Sequence, residues 1–505
     1  MSAPHHKSSF PAPIYRDTVL THIFEDAKRY FLEPLQAIHY AHTLMLGRQG
    51  ILGRHEVVAC LRALDRLDME KIRNQRYDGS FEDLFFYMES ELAADCGAAL
   101  AGKMHTARSR NDIDLTMYRM VLRERLAKTM SCLLELRSQL VRLAEVHRAS
   151  LMPAYTHNQP AQPTTLGHYL MAIVECFERD FERLHGAAVR VNRSPLGACA
   201  ITTTGFPIDR EYTALLLGFA GLQVNSYGAI AAVDYLTESC STLAVCMLNL
   251  GRFAQDLLQW SSAEFGYIRL SDGYVQISSI MPQKRNPVPL EHVRVLSSKA
   301  MTQAQASLGT LHNTPFTDIN DSEDDLQPMV YNAFEDGERS MKLLAGVLVE
   351  IEFMTDRMAV AAGANFLTVT ELADTLVRET GMDFRTAHEI VSGAIAVLKG
   401  VYEPETLVCA VEELMAAKYP ELSVPARALL RSSLDASNFV TVRRVTGGPA
   451  AEALDPEIRR ASELVRVDGG WLEQYCRAFE EARTLMQSTK LAIFAEYDSR
   501  PTGSV

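Results

Sequence analysis

The chain has 505 residues, 47% of them hydrophobic and 22% charged, a composition near the globular average that excludes a disordered, collagen-like or low-complexity protein. Sixty-three acidic against fifty basic residues give a formal net charge of −13, which argues against nucleic acid or an anionic membrane as partner. No stretch approaches the ~18 consecutive apolar residues needed to span a bilayer, and the polar start MSAPHHKSSFPAPIYRD lacks the apolar core of a secretion signal.

The length fits about three domains or one large elongated core. Up to about residue 112 the pattern is of shorter helical pieces separated by Gly47, Gly50, Gly53 and Gly79. His39 and His42 stand three apart there, a helical spacing that can hold a metal. No acidic or cysteine partner is grouped with them, so two histidines on a partly exposed helix are expected, and no metal or other cofactor. From Asp114 to Met152 there is neither Gly nor Pro, and Leu122, Leu126, Met130, Leu133, Leu136, Leu140 and Leu143 recur at spacings of three and four, one face of a long helix. Leu170, Ile173, Phe177, Phe181 and Leu184 form a second such face, and a third long segment runs from about Ala229 to Trp260. A fourth begins after Asn286-Pro287-Val288-Pro289 and continues toward Asn313. Helices of this length, in succession, imply an elongated bundle. After about Ala362 the helices shorten, with turns at Gly381, Gly400, Pro404, Pro420 and Gly447-Gly448-Pro449. The expected fold is all-α: an N-terminal helical domain (1–113), a central long-helix bundle (114–364) and a C-terminal helical domain (365–505). The nine cysteines form no CxxC pair, and Cys132, Cys176 and Cys246 lie in apolar helical patterns, so buried thiols in a reducing cytoplasm are expected.

P-loop, GxGxxG, GxSxG and HExxH patterns are all missing. Three polar stretches stand out instead. They are Thr106-Ala-Arg108-Ser109-Arg110-Asn111-Asp112, Tyr155-Thr156-His157-Asn158-Gln159-Pro160-Ala161-Gln162-Pro163, and Ser278-Ser279-Ile280-Met281-Pro282-Gln283-Lys284-Arg285-Asn286-Pro287. Taken singly, each reads equally well as an interhelix loop rich in turn formers. Together they supply hydroxyls, amides, a histidine, a lysine and an arginine, an inventory suited to binding a small polycarboxylate and moving protons.

The three stretches resemble the three signature regions of the aspartase/fumarase superfamily, the third matching its SSxMPxKxNP pattern. The argininosuccinate lyase branch is the closer likeness, carried by Gly102-Lys-Met-His-Thr-Ala-Arg-Ser-Arg-Asn-Asp112, Trp260-Ser-Ser-Ala-Glu-Phe-Gly266 and Ala387-His-Glu-Ile-Val391. The resemblance implies a β-elimination that releases fumarate from an N-succinyl amine. It implies Ser278 as the base, activated as an alkoxide, and Lys284 and Asn286 at the carboxylate where charge grows. His157, polarised by Glu291, would move a proton to the amine. Thr156, Ser109, Arg110 and Asn111 would grip the succinyl carboxylates, with Ser279, Met281 and Gln327 also at the substrate. It further implies a homotetramer whose active sites each draw on three subunits.

The chain departs from that branch in a cluster of places. Glu82-Asp-Leu-Phe85 stands where the branch has Glu-Asp-Ile-His, and Leu35-Gln-Ala-Ile-His39 where it has Asp-Ile-x-Gly-Ser. Val233 replaces an arginine, Ser322 a tyrosine, Asp324 a cation, and Ile277 a glycine before the serines. Losing two cations around the amine half disfavours an extra carboxylate there and favours a positively charged leaving group. The expected substrate is therefore an N-substituted aspartate whose amine is a diamine or an aminopolycarboxylate, as in ethylenediamine-N,N′-disuccinate (EDDS) lyase. An argininosuccinate lyase is the alternative, and a crystallin-like structural bundle the non-enzymatic one.

Overall fold

The computed structural model describes residues 10–499. The expected first long helix is Arg110–Val146. It begins at Ser109, whose backbone N–H is taken by the Asp112 carboxylate, satisfying one of the donors that a helix start leaves free. Along its inner face Leu122, Leu126, Met130, Leu133, Leu136 and Leu140 are buried and Leu143 is partly buried. Each such side chain contributes about 2 kcal/mol by leaving water. This helix packs against Leu166–Val191, Gln327–Glu350 and Ala451–Asp498, while Val288–Leu311 lies between Asp234–Trp260 and Gln327–Glu350. No helix of the described residues is long and apolar enough to cross a membrane, and all nine cysteines are free.

The segment from Ala229 is not one helix. Ser226–Ala231 ends at Ala232, whose backbone is extended, and Asp234–Trp260 starts afresh after Val233. Asn225 caps the short piece by accepting the Gly228 N–H. The bends in the chain thus fall at β-branched and capping residues rather than at Gly251, which lies inside the second helix.

Packing also divides the chain differently from the composition. Residue 113 falls within the first turn of Arg110–Val146. The N-terminal helices share the main core, through Phe24, Leu35, Leu61 and Met88. Residues 372–434 have a core of their own, built on Leu376, Ile390, Val411 and Leu430. The last helix returns to the main core through Leu454, Ile458 and Phe479.

The second polar stretch forms a β-hairpin. Leu151–Thr156 pairs antiparallel with Gln159–Thr165, with an irregularity at Ala154/Tyr155. Pro153, Pro160 and Pro163 exclude helix here. His157 and Asn158 make the turn at φ 50° and 59°, the left-handed pair that matches strand twist in a two-residue hairpin. Thr165 then caps Leu166–Val191 by accepting the His168 N–H. Gly167 lies in the first turn, where a Cβ would come 2.7 Å from the Ala144 carbonyl oxygen and 2.8 Å from the Arg148 Cα.

Replacing Gly167 with alanine should therefore force backbone apart and cost about 1–3 kcal/mol, lowering the thermal midpoint by several degrees. Gly102→Ala, where a Cβ meets nothing within 4 Å, should not. Differential scanning fluorimetry of the two variants checks this.

Candidate functional site

The first stretch occupies the N-terminal end of Arg110–Val146. Ser109 Oγ donates to Asn111 Oδ1 at 2.8 Å, and Asn111 Nδ2 donates to Asp318 Oδ2 at 2.6 Å. Arg110 is bound by Asp83 and, at 3.0 Å, by Asp114 one turn along. Asp112 accepts backbone N–H groups from Ser109, Gly197 and Cys199, which ties the 194–199 turn to the helix start. A cavity of about 350 Å³ opens beside Arg110 and Asn111, walled by Asp83, Asp114, Asp318, Glu323 and Asp324. Tyr118 donates to Asp324 at 2.8 Å. Burial, followed by the neighbouring carboxylates Asp318 and Asp114, pushes Glu323 up to about 8. Burial outweighs Arg110 and lifts Asp114 up to about 7; burial raises Asp324 too.

Of these acidic residues the sequence reading singled out only Asp324. Asp114 stands four residues after Arg110, an ion-pair spacing legible in the sequence. Asp318 and Glu323 reach the cavity by the packing of the 312–326 segment, which no local pattern announces. Gln327 is fully buried. Its amide nitrogen donates to the Ser322 carbonyl and its oxygen accepts from Tyr331, so both ends hold its own chain and neither faces the cavity.

Thr156 and His157 sit exposed at the hairpin tip, where His157 borders a second cavity of about 610 Å³ shared with Tyr169, Arg252 and Asp256. The third stretch is a smaller hairpin in which Gln276–Ile277 pairs with Arg285–Asn286. Asn286 Nδ2 donates to the Gln276 carbonyl, and Arg285 to Asp272. Ser278 is half-buried, and its Oγ accepts the backbone N–H groups of Ile280 and Met281 at 3.4 and 3.1 Å. Donors aimed at this oxygen favour its anionic form. Ser279, Met281 and Lys284 are exposed, as is Glu291 in the first turn of Val288–Leu311. Within one chain no contact joins His157 to Glu291 among the described residues.

A single chain does not bring the three stretches together. Ser109 and Thr156 flank opposite ends of a 37-residue helix, about 55 Å apart at 1.5 Å per residue. The 276–286 loop lies at the hairpin end, because Tyr155 and Tyr267 share a hydrogen bond of 3.0 Å. Val288–Leu311 then carries the chain 24 residues back to the end where Asp318 meets Asn111.

A protein-family profile described as "Lyase" matches residues 87–302, and one described as "Argininosuccinate lyase C-terminal" matches 366–440, the segment with the separate core. The chain is 42% identical to argininosuccinate lyase 2 of Agrobacterium fabrum, with 98% of each chain covered. It is 38% identical to argininosuccinate lyase of Methanoculleus marisnigri, over 89% of this chain and 90% of that one. Among solved structures, a variant of EDDS lyase with bound fumarate superposes at a TM-score of 0.84, with 31% identity over 94% of this chain and 96% of that one.

The acidic cavity sets a pH dependence. Asp114 and Glu323 hold their protons more tightly folded than unfolded, so their contribution to stability is present at low pH and is lost as pH rises toward 8. The contribution of these two groups to the thermal midpoint of the unliganded protein should fall between about pH 4 and 8 and level off above, and Glu323→Gln should flatten that fall. A midpoint that is level in both proteins would contradict the burial assigned to these carboxylates.

Proposed function

Because the chain belongs to the argininosuccinate lyase branch of the aspartase/fumarase superfamily, and is a carbon–nitrogen lyase that releases fumarate, we propose that its substrate is an aspartate N-alkylated by a diamine or other polycation. The observation that carries this reading is the acidic wall beside Arg110 and Asn111. Around that cavity the only cation among the described residues is Arg110, already held by Asp83 and Asp114. A leaving amine with a free ammonium favours release of the protons that Asp114 and Glu323 hold and gains from them together with Asp318 and Asp324; one with its own carboxylate adds to the like charge there. Argininosuccinate carries such a carboxylate on its arginine half. The amine released from EDDS carries two, so an aminopolycarboxylate fits less well than a plain diamine.

In the proposed reaction Ser278, as the alkoxide, takes the proton from the carbon beside one succinyl carboxylate. The backbone donors of Ile280 and Met281 support the alkoxide, and the carboxylate accumulating charge is met by Lys284 and Asn286. The C–N bond then breaks, its electron pair leaves with nitrogen, and a proton from His157, polarised by Glu291, makes the neutral amine. Fumarate remains on Thr156, Ser109 and Asn111. Ile277 and Ile280 are 78% and 82% exposed, apolar residues on a loop that gains by closing over the filled site.

The site is proposed to form only between copies of the chain, as a homotetramer in which each centre draws on three subunits. Supporting this are the separation of the stretches along one helix and the outward-facing Val245, Leu248, Val295 and Val349 on the long helices, apolar surface of the kind that marks an interface.

The alternative, argininosuccinate as substrate, is favoured by the 42% identical relative of that name. Fumarate formation, followed by its ultraviolet absorbance, separates the two. Aspartates N-alkylated by ethylenediamine or butanediamine should exceed argininosuccinate and EDDS in kcat/KM by about tenfold or more. Turnover of argininosuccinate alone would sink the diamine reading. Ser278→Ala should lose at least about a hundredfold in kcat while the far-ultraviolet circular dichroism is unchanged; near-full activity would move the base elsewhere.

A further inference from the structure

The two histidines spaced for a metal do something else. His39 and His42 lie one turn apart on Leu32–Arg48 and are both buried rather than partly exposed. No group of three metal-ligating side chains forms among the described residues. Both rings instead reach the segment that precedes Arg110. His42 Nε2 lies 2.8 Å from the Thr106 carbonyl, to which it must donate. Arg108 Nη1 lies 2.9 Å from His39 Nδ1; a guanidinium only donates, so His39 accepts and its proton sits on Nε2. Burial and the Arg108 charge keep both rings neutral, His42 pushed down to about 3.

Phe85 completes the arrangement. Its ring stacks on His39, with centroids 5.9 Å apart and planes at 26°, and the Arg108 and Arg110 guanidiniums lie 5.8 and 5.6 Å from its centre. His39 and Phe85 are two of the positions at which the sequence departs from its branch, and they touch. Between the two histidine contacts Ala107 adopts φ 62°, a left-handed conformation that costs a residue with a Cβ and persists only where the surroundings hold it. The His39 Nε2–H has no protein partner. A leucine there would remove that orphaned Nε2–H but would strip Arg108 Nη1 of its acceptor, so the Nδ1 lone pair is what the histidine supplies.

We propose that His39 and His42 are positioning residues that clamp the 106–109 segment, His39 by accepting from Arg108 and His42 by donating to the Thr106 carbonyl, and thereby fix the Ser109–Asn111 turn that grips the succinyl carboxylates. Neither ring touches substrate. The assignment rests on Ser109–Asn111 being that grip.

The test uses steady-state kinetics on the full-length protein, with fumarate as competitive inhibitor. His39→Leu removes the acceptor and His39→Asn keeps one at the Nδ1 position; His42→Leu removes the donor and His42→Gln keeps one at the Nε2 position. Each leucine variant should raise KM and the fumarate inhibition constant about five- to tenfold with a smaller change in kcat. The amide variants, His39→Asn and His42→Gln, should restore both constants, whatever their effect on melting temperature. If the leucine variants keep both constants, or if the amide variants melt like the parent yet fail to restore them, the clamp is overturned. Where a leucine variant does not fold, the amide variants alone decide. Asn111→Ala is the companion measurement, with fumarate binding read by isothermal titration calorimetry because its turnover is lost. If its fumarate dissociation constant matches the parent's, the grip itself is misassigned; if that constant is raised while the leucine variants keep theirs, only the clamp fails.

Discussion

The active centre depends on one long, unbroken helix. Arg110–Val146 runs 37 residues, and its polar start and the polar hairpin beyond its end are held apart by its whole length. Among the described residues nothing folds them back: Val288–Leu311 and Gln327–Glu350, 24 residues each, shuttle the chain between the same two ends. A rigid rod that buries Leu122 through Leu140 cannot bend to close a site without breaking the core that stabilises it. In the proposed tetramer the chemistry falls to contacts between copies, since a copy laid antiparallel would bring the opposite end of its own rod to each end of the first.

In the proposed function it is local charge, not global charge, that selects the substrate. The protein carries −13 overall, yet Arg110, beside the Ser109 and Asn111 that hold the succinyl carboxylates in the proposed reaction, is half-buried between Asp83 and Asp114. That pairing fixes the guanidinium in place and leaves the cavity beside it rich in carboxylates. In the proposed function these become two neighbouring subsites of opposite preference, one for a dicarboxylate and one for a cation, matched to a zwitterionic N-alkyl aspartate.

The long helices are legible in the sequence because burial on one side of a helix writes a period of three and four, as at Leu122, Leu126 and Met130. The hairpin at 151–165 is not: its prolines, histidine and asparagine look like loop residues, and its strands lack alternation because Pro153, Pro160 and Pro163 occupy them. The break at Ala232–Val233 has no glycine or proline to mark it. The three polar stretches can be recognised by their motifs, but the acidic wall cannot, since Asp318 and Glu323 enter it through tertiary packing. His39 and His42 show the same limit, for their spacing is visible and their burial against Thr106 and Arg108 is not. The final helix carries no sign that it leaves residues 372–434 and rejoins the main core.

The most direct test of a centre shared between copies is to mix two inactive chains. Asn111→Ala and Ser278→Ala place their defects at opposite ends of the rod. Denatured together in equal amounts and refolded, they should regain about a quarter of the parental fumarate-releasing activity, because random assembly leaves about that share of centres with both groups intact. Each refolded alone should stay inactive. A mixture as inactive as its components would mean that one chain supplies both groups, and the account of the rod as a separator would be wrong.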